Sequence, residues 1–464
     1  MKFRKITLFA FVFLAFQTVN AQIDLATPMA VSKGGAATAI VKNWEAIGIN
    51  PANLGWKNNY RFSLSILNAG INLQSKALDF QSLENAVSNP NQTFTPEQKK
   101  QYASLFTTSD GLNLEADITW LAASVSIPKV GGFAINVRDR MIGHIGLSQN
   151  AADILFNGVN SQAYQDSNIT SKLISQELAG TNISYYHYRE LNIDYGRKLF
   201  SLGDSASGKG IDIFGGLGFK YLWGLGDLET NITDAGVDAH SSFSTIYNID
   251  YGSIQNFSPQ NAGNLFNSVG HGTAFDLGLS AVIHNKLTVG ISATDLGQIH
   301  WTHNLLTAVD TTMPKLNSGN NGLESWNFGN SGFTLGNNSI VDFKSGPDYN
   351  IALPSKLRMG ASFQLTSKII IASDAVFPLN TVGGNLENPY YALGGEITLN
   401  SFFKFSTGVA GNSNYGISVP IGITLSAHNF IEFFLATDDV LTYLEKSKNP
   451  HISMAIGVLR FNIK

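Results

Sequence analysis

Hydrophobic positions along this chain alternate with polar or small ones, segment after segment. Tyr60, Phe62, Leu64 and Ile66 interleave with Arg61, Ser63 and Ser65, and Phe133, Ile135 and Val137 with Ala134, Asn136 and Arg138. Phe275, Leu277, Leu279, Ala281 and Ile283 face Asp276, Gly278 and Ser280, and the runs 357–365 and 416–425 repeat the scheme. In 211–221 only Phe214 breaks it. Period two puts the two sets on opposite faces of a strand. A sheet with one face in water carries Lys, Glu and Thr on its second face; here that face is Gly, Ser, Ala and Asn with scattered charges. Bulky residues facing lipid and small ones lining a crowded lumen produce this composition, and small inward residues let a wall curve closed. The pattern predicts an all-β fold, a transmembrane antiparallel β-barrel of about 14 strands. Segments near 210–224 and 227–250 read as separate strands. Tight turns are expected at His284-Asn285-Lys286, Thr366-Ser367-Lys368, Asn400-Ser401 and His428-Asn429.

Three long connections interrupt the alternation, at about 78–108, 149–180 and 303–350, and are expected to lie outside the cell. The first contains Thr95-Pro96-Glu97-Gln98. That order gives an N-cap, a proline at the first helical position and a capping-box glutamine, predicting a helix running to Phe106. The second reads as helical from Ala151 to Leu178. These insertions either cap the mouth of the barrel or shape a site for an apolar ligand; amphipathicity does not choose between the two. At the C-terminus, Ile452, Met454, Ile456 and Val458 share a face before the pattern shifts to Leu459, Phe461 and Ile463, as a β-bulge would make it.

The N-terminus differs from the rest. Lys2, Arg4 and Lys5 precede the apolar run Ile6–Phe16, and Thr18-Val19-Asn20-Ala21 offers a cleavage site, so residues 1–21 are read as a secretory signal peptide. A run of eleven residues is too short to span a bilayer as a helix, which needs about 20. Composition agrees with a partly lipid-facing surface: 14% of the 464 residues are charged against 44% hydrophobic, where a soluble domain carries about 25% charged residues. The absence of cysteine excludes disulfides, thiolate metal sites and a cysteine nucleophile. With 30 basic and 34 acidic residues there is no positive surplus for nucleic acid. Neither a P-loop nor G-x-S-x-G nor G-x-G-x-x-G after a strand occurs, so no enzyme and no cofactor is expected. His300-Trp301-Thr302-His303 lacks zincin spacing and reads as an interfacial aromatic turn.

Before the first strand, residues 22–56 form a stretch of their own. Gly34 and Gly35 suit a place with little room for side chains, Pro51 stiffens a corner and holds Asn50 extended, and Asn50 can bond nearby backbone. An ordinary Asn-Pro turn would carry the same residues. The run Asn50-Pro51-Ala52-Asn53-Leu54, preceded by the Gly/Ala-rich 34–39, resembles the N-terminal plug of FadL-type outer-membrane channels for long-chain fatty acids and other hydrophobic compounds. PorV-like barrels of type IX secretion share this opening. Leu353-Pro354-Ser355 ahead of a strand and the 275–297 hairpin are similar to passages of the same superfamily. The resemblance implies a hatch at 22–56, with Gly34, Gly35, Asn50, Pro51, Ala52 and Leu54 as its motif, inside a barrel over 57–464. It also implies outer-membrane lipid as surroundings and a hydrophobic or amphipathic small molecule as ligand. For PorV-like relatives it implies secretion-system partners instead. On the inferred lumen face, Arg61, Arg138, Arg140, Lys220, Arg358 and Lys404 outnumber Asp194, Asp212 and Asp276. Such charges either pair with one another or attract an anion, for which Arg138 and Arg140 are the candidate contact.

Overall fold

Alternation over seven to 23 residues is enough for a strand to cross a wall, and among the described residues fourteen strands do so. They are β1 (Phe62–Ser75), β2 (Leu112–Ile127), β3 (Gly131–Gly146), β4 (Thr181–Leu202), β5 (Ile211–Thr233), β6 (Gly270–Ile283) and β7 (Leu287–Trp301), followed by β8 (Lys356–Thr366), β9 (Ile369–Pro378), β10 (Tyr390–Thr398), β11 (Phe403–Asn412), β12 (Ile421–Ala427), β13 (Ile431–Thr437) and β14 (His451–Ile463). Each pairs antiparallel with the next, and β1 pairs with β14 from Phe62↔Ile463 to Gln74↔His451, closing the barrel without an edge. The computed structural model describes residues 27–463 apart from 58–59, 107–110, 205–206, 250, 252–253, 255–256, 261–265, 327–339, 414–415, 428–429 and 447–449. The signal segment 1–21 and the turn at His428-Asn429 therefore lie outside the described residues.

The outer face is apolar: Leu217, Leu393 and Phe275 are 61%, 60% and 52% exposed, and similar residues surround the wall. A folded chain leaves so broad an apolar belt uncovered only where lipid covers it. No helix among the described residues is long and apolar enough to cross a membrane; the strands are what cross.

The wall is uneven in height. β4 and β5 have 22 and 23 residues, β9 and β10 only ten and nine. One expectation fails here: 211–233 is a single strand, and 236–243 folds back on its upper half, turning at Gly236 with φ 141°. No turn residue separates 224 from 227; a register shift at His187/Tyr188 opposite Gly224 and Gly226 absorbs the irregularity within the ladder. At His284-Asn285 both residues take positive φ, as a two-residue hairpin turn requires. The shift expected in the last strand is present. Glu432 pairs Arg460 while Phe434 pairs Gly457, which leaves one extra residue at Val458-Leu459. At the same height Leu67 takes φ 55°, and β2 carries an extra residue at Trp120, so Ile66, Leu67, Trp120 and Leu121 all face outward.

Long connections gather at the end opposite the tight turns. Between β1 and β2 lie helices Phe80–Ser88 and Pro96–Leu105, the second opened by the Thr95–Gln98 capping box. Between β3 and β4, helix Gln149–Asn157 passes through short 3-10 turns to Ile174–Leu178, so the expected continuous helix is broken, first at Gly158 with φ 56°. Phe94, Tyr102, Phe106, Phe156, Ile174 and Met313 join these insertions in one buried cluster.

Candidate functional site

Residues 27–56 occupy the lumen at the tight-turn end. Small residues allow this: helix Pro28–Val31 and the 3-10 turns Asn43–Ala46 and Pro51–Gly55 are linked through Gly34 and Gly35, at φ 63° and 89°. Asn50 caps the last turn, its Oδ1 accepting from the Ala52 N–H at 3.1 Å while its Nδ2 donates to the wall at the Leu279 carbonyl, 3.3 Å. Asn53 Nδ2 bridges the carbonyls of Thr38 and Val41 at 3.0 and 3.1 Å. Three polar anchors fix the segment to separate strands. Thr38 donates from its N–H and hydroxyl to Asp374 of β9 at 2.9 and 2.5 Å. Lys33 pairs with Glu396 of β10 at 3.1 Å, and Glu45 with Arg460 of β14 at 3.2 Å. Burial pushes the Glu45 carboxyl up, against the pull of Arg460.

The wall meets this segment through glycines. A Cβ at Gly132, Gly196, Gly216 or Gly278 would stand 2.1–2.3 Å from the Leu54 carbonyl, the Pro51 carbonyl, the Ala52 nitrogen or the Asn50 Oδ1. Inward glycines thus let the backbone of 50–54 approach the wall backbone, beyond any effect on curvature. Phe214, the residue that broke the alternation, points inward and packs on Ala52 and Trp56.

Beyond residues 27–56 comes a buried charged layer. Arg138 bonds Glu190 at 2.5 Å. Arg140 reaches Asp117 and Asp295 at 3.3 and 3.2 Å, and Lys220 reaches Asp276 and Asp295 at 3.0 and 2.5 Å. Both arginines of the candidate anion contact therefore face carboxylates. Arg61 and Asp212 do not belong to this layer; Arg61 is exposed, and Asp212 pairs with Lys198, itself half exposed. Lys404 pairs with Glu432. Arg358, 5% exposed, has no hydrogen bond or ion pair among the described residues, and its Nε is buried without a partner.

Above the charges the lumen turns apolar. Ile142, Tyr186, Tyr188, Ile299, Trp301 and Leu353 bound a cavity of about 20 Å³, room for a single water. Trp301 is buried here and not interfacial, because an extra residue at Thr294-Asp295, where Asp295 takes φ 60°, moves the inward face of β7 from even to odd positions. The insertions close the top: Trp326 packs edge-on to Phe94 at 5.1 Å, and Lys99 ties the first insertion to the third through Glu324 at 2.9 Å.

A family of unknown function, DUF5723, matches residues 51–438, most of the chain. The chain belongs to this family. No curated protein matches the sequence. Among solved structures, the Ralstonia pickettii toluene transporter TbuX is 12% identical with a TM-score of 0.46, over 95% of this chain and 100% of that one. The P. putida toluene transporter TodX is 11% identical with a TM-score of 0.45, over 95% and 99%. A Pseudomonas aeruginosa FadL homologue, from the group that the Asn50–Leu54 motif resembles, is 9% identical with a TM-score of 0.42, over 95% and 98%.

For this DUF5723 chain, sequence reasoning picked Arg138 and Arg140 out of six inward cations by their spacing. The distinction that matters physically, which cation lacks a carboxylate, depends on cross-strand register and was not readable from spacing. The inward glycines were visible as a class, but their contact with 50–54 needed the closed barrel.

Proposed function

We propose that this protein is an outer-membrane channel for hydrophobic or amphipathic small molecules, with residues 22–56 as its hatch. The observation that carries the reading is the layering of the lumen: an apolar cap, an apolar chamber around Tyr188 and Trp301, a charged layer and then a seated plug. An open aqueous pore would be polar and unobstructed along its length. Here a hydrophobic solute finds matching surface as far as the charges and is stopped there, so passage requires movement of the insertions and then of the plug or of the wall. Apolar pockets carrying a few fixed polar groups are what small-molecule sites are made of. Growth and uptake on hydrophobic substrates by a deletion strain, with its secreted proteins compared in parallel, test the reading. Slower uptake with an unchanged secretome supports the channel. Normal uptake with missing surface proteins would replace it with the docking role of PorV-like barrels. Membrane-extracted protein should also change its gel migration on boiling; a soluble protein with unchanged migration would sink the barrel itself.

A further inference from the structure

A guanidinium carries five N–H donors in a planar fork and keeps its charge at any physiological pH. Burying one without hydrogen bonds is costly, and buried arginines are therefore almost always paired. In the charged layer Arg138, Arg140 and Lys220 follow that rule, each within 3.3 Å of a carboxylate. Arg358 does not. It stands on the inward face of β8, between Ser292 of β7 and Val376 of β9, 5% exposed, and none of its nitrogens has a hydrogen-bond partner among the described residues. The carboxylate that could serve it is Asp374, one pair further along the β8–β9 ladder, opposite Gly360. One oxygen of Asp374 is taken up by Thr38 of the plug, and the other has no partner, so the two groups sit close without bonding. Lys356 lies two residues away on the same face, within electrostatic reach of the cations Arg358 and Arg140 and of the carboxylates Glu115 and Asp295. Val376, its partner on β9, belongs to a buried apolar cluster with Ala372, Leu386 and Tyr390.

We propose that Arg358 is an anion-recognition residue of the lumen, completing its hydrogen bonds with an oxyanion such as a carboxylate or sulfate. The oxyanion is either free or carried on an apolar chain that lies along the Val376–Tyr390 surface. A planar fork beside apolar side chains suits a two-oxygen headgroup, which it can hold through two parallel N–H bonds. The chain-bearing case rests on the channel reading above; the free-anion case does not.

The test is calorimetric titration of the purified protein in a non-ionic detergent at pH 8, with decanoate, decanol, acetate and sulfate as separate probes. Wild type should bind decanoate at least 10-fold tighter than decanol, corresponding to about 1.4 kcal/mol. R358Q should bind the two alike, and R358K should recover part of the preference, all three migrating as heat-modifiable barrels. Arg358-dependent binding of acetate or sulfate as tight as that of decanoate supports the site with a free anion as its occupant. If wild type binds decanoate and decanol equally and ignores acetate and sulfate, or if R358Q keeps the preference, the proposal is overturned and Arg358 serves only to balance Asp374. Failure of both decanoate and decanol to bind counts against the channel reading instead, and the acetate and sulfate titrations then decide the anion site alone. Should R358Q not fold, the wild-type ratio and the R358K titration still decide.

Discussion

At Gly278 a Cβ would stand 2.1 Å from the Asn50 Oδ1, and at Gly216 it would stand 2.3 Å from the Ala52 nitrogen. Both neighbours belong to a capped turn that is itself bonded to the wall, so neither can move aside cheaply. We expect G216A and G278A each to destabilise plug seating by about 1–3 kcal/mol, the usual range for overpacking. Increased protease cleavage within 27–56 would show it. G319A, where a Cβ meets nothing within 4 Å, should be silent. A second effect at this scale is pH-dependent. Asp438, just past β13, is pushed up to about 8 by burial and by the neighbouring Asp439 charge. In the folded chain it therefore keeps a proton that the unfolded chain gives up near its ordinary value of about 4. Stability around it should fall as pH rises from about 4 to 8 and then level off. Protection of 438–445 against hydrogen exchange, corrected for intrinsic rate, should drop over that window in wild type and stay flat in D438N.

Elements were legible where local chemistry alone specifies them. The Thr95–Gln98 box predicted a helix that the structure places at Pro96–Leu105, because a cap, a proline and a reciprocal glutamine need no tertiary partner. T95A should remove one hydrogen bond to the Gln98 N–H and cost that helix about 1 kcal/mol. Faster exchange confined to 96–105 would report it, and an effect spreading into β1 or β2 would count against a local role. The bulge at Val458-Leu459 was legible for a similar reason: a parity change in a strand leaves a trace in the sequence. The bulge at Thr294-Asp295 left none that could be read, since Ala293, Gly297 and Gln298 fit either face, and Trp301 was accordingly read as part of an interfacial turn when it is buried in the lumen. The continuous strand 211–233 was divided for want of knowing how far above the bilayer a wall can extend.

For the molecule as a whole, buried ions join residues 27–56 to the barrel wall. Arg460 of β14 links Glu45 in the plug to Glu432 of β13, at 3.2 and 3.5 Å, and stacks over Trp44 at 5.7 Å. Removing one partner of a buried pair strands the other charge, at a cost of about 3–5 kcal/mol. R460A should therefore loosen the plug while leaving the strand ladder intact. Proteoliposomes holding R460A should admit a small hydrophilic dye faster than wild type, with heat-modifiable migration preserved. Unchanged permeability would mean that the Thr38–Asp374 and Lys33–Glu396 anchors hold the plug without it.

The sequence by itself determined the class of fold, close to the number of strands, and which face of most strands is dry, because a bilayer imposes period two and strips charge from one face whatever the partners. It also marked the 34–54 segment as unlike the strands around it. Only the tertiary structure decided what the inward residues do. Lumen contacts join strands far apart in sequence, and each depends on register, where one extra residue reverses every side chain beyond it. That is why glycines read as wall-bending became seats for Asn50, Pro51, Ala52 and Leu54, and why, of six cations assigned to one face by counting, four lie in carboxylate pairs, one sits at the rim and Arg358 stands alone.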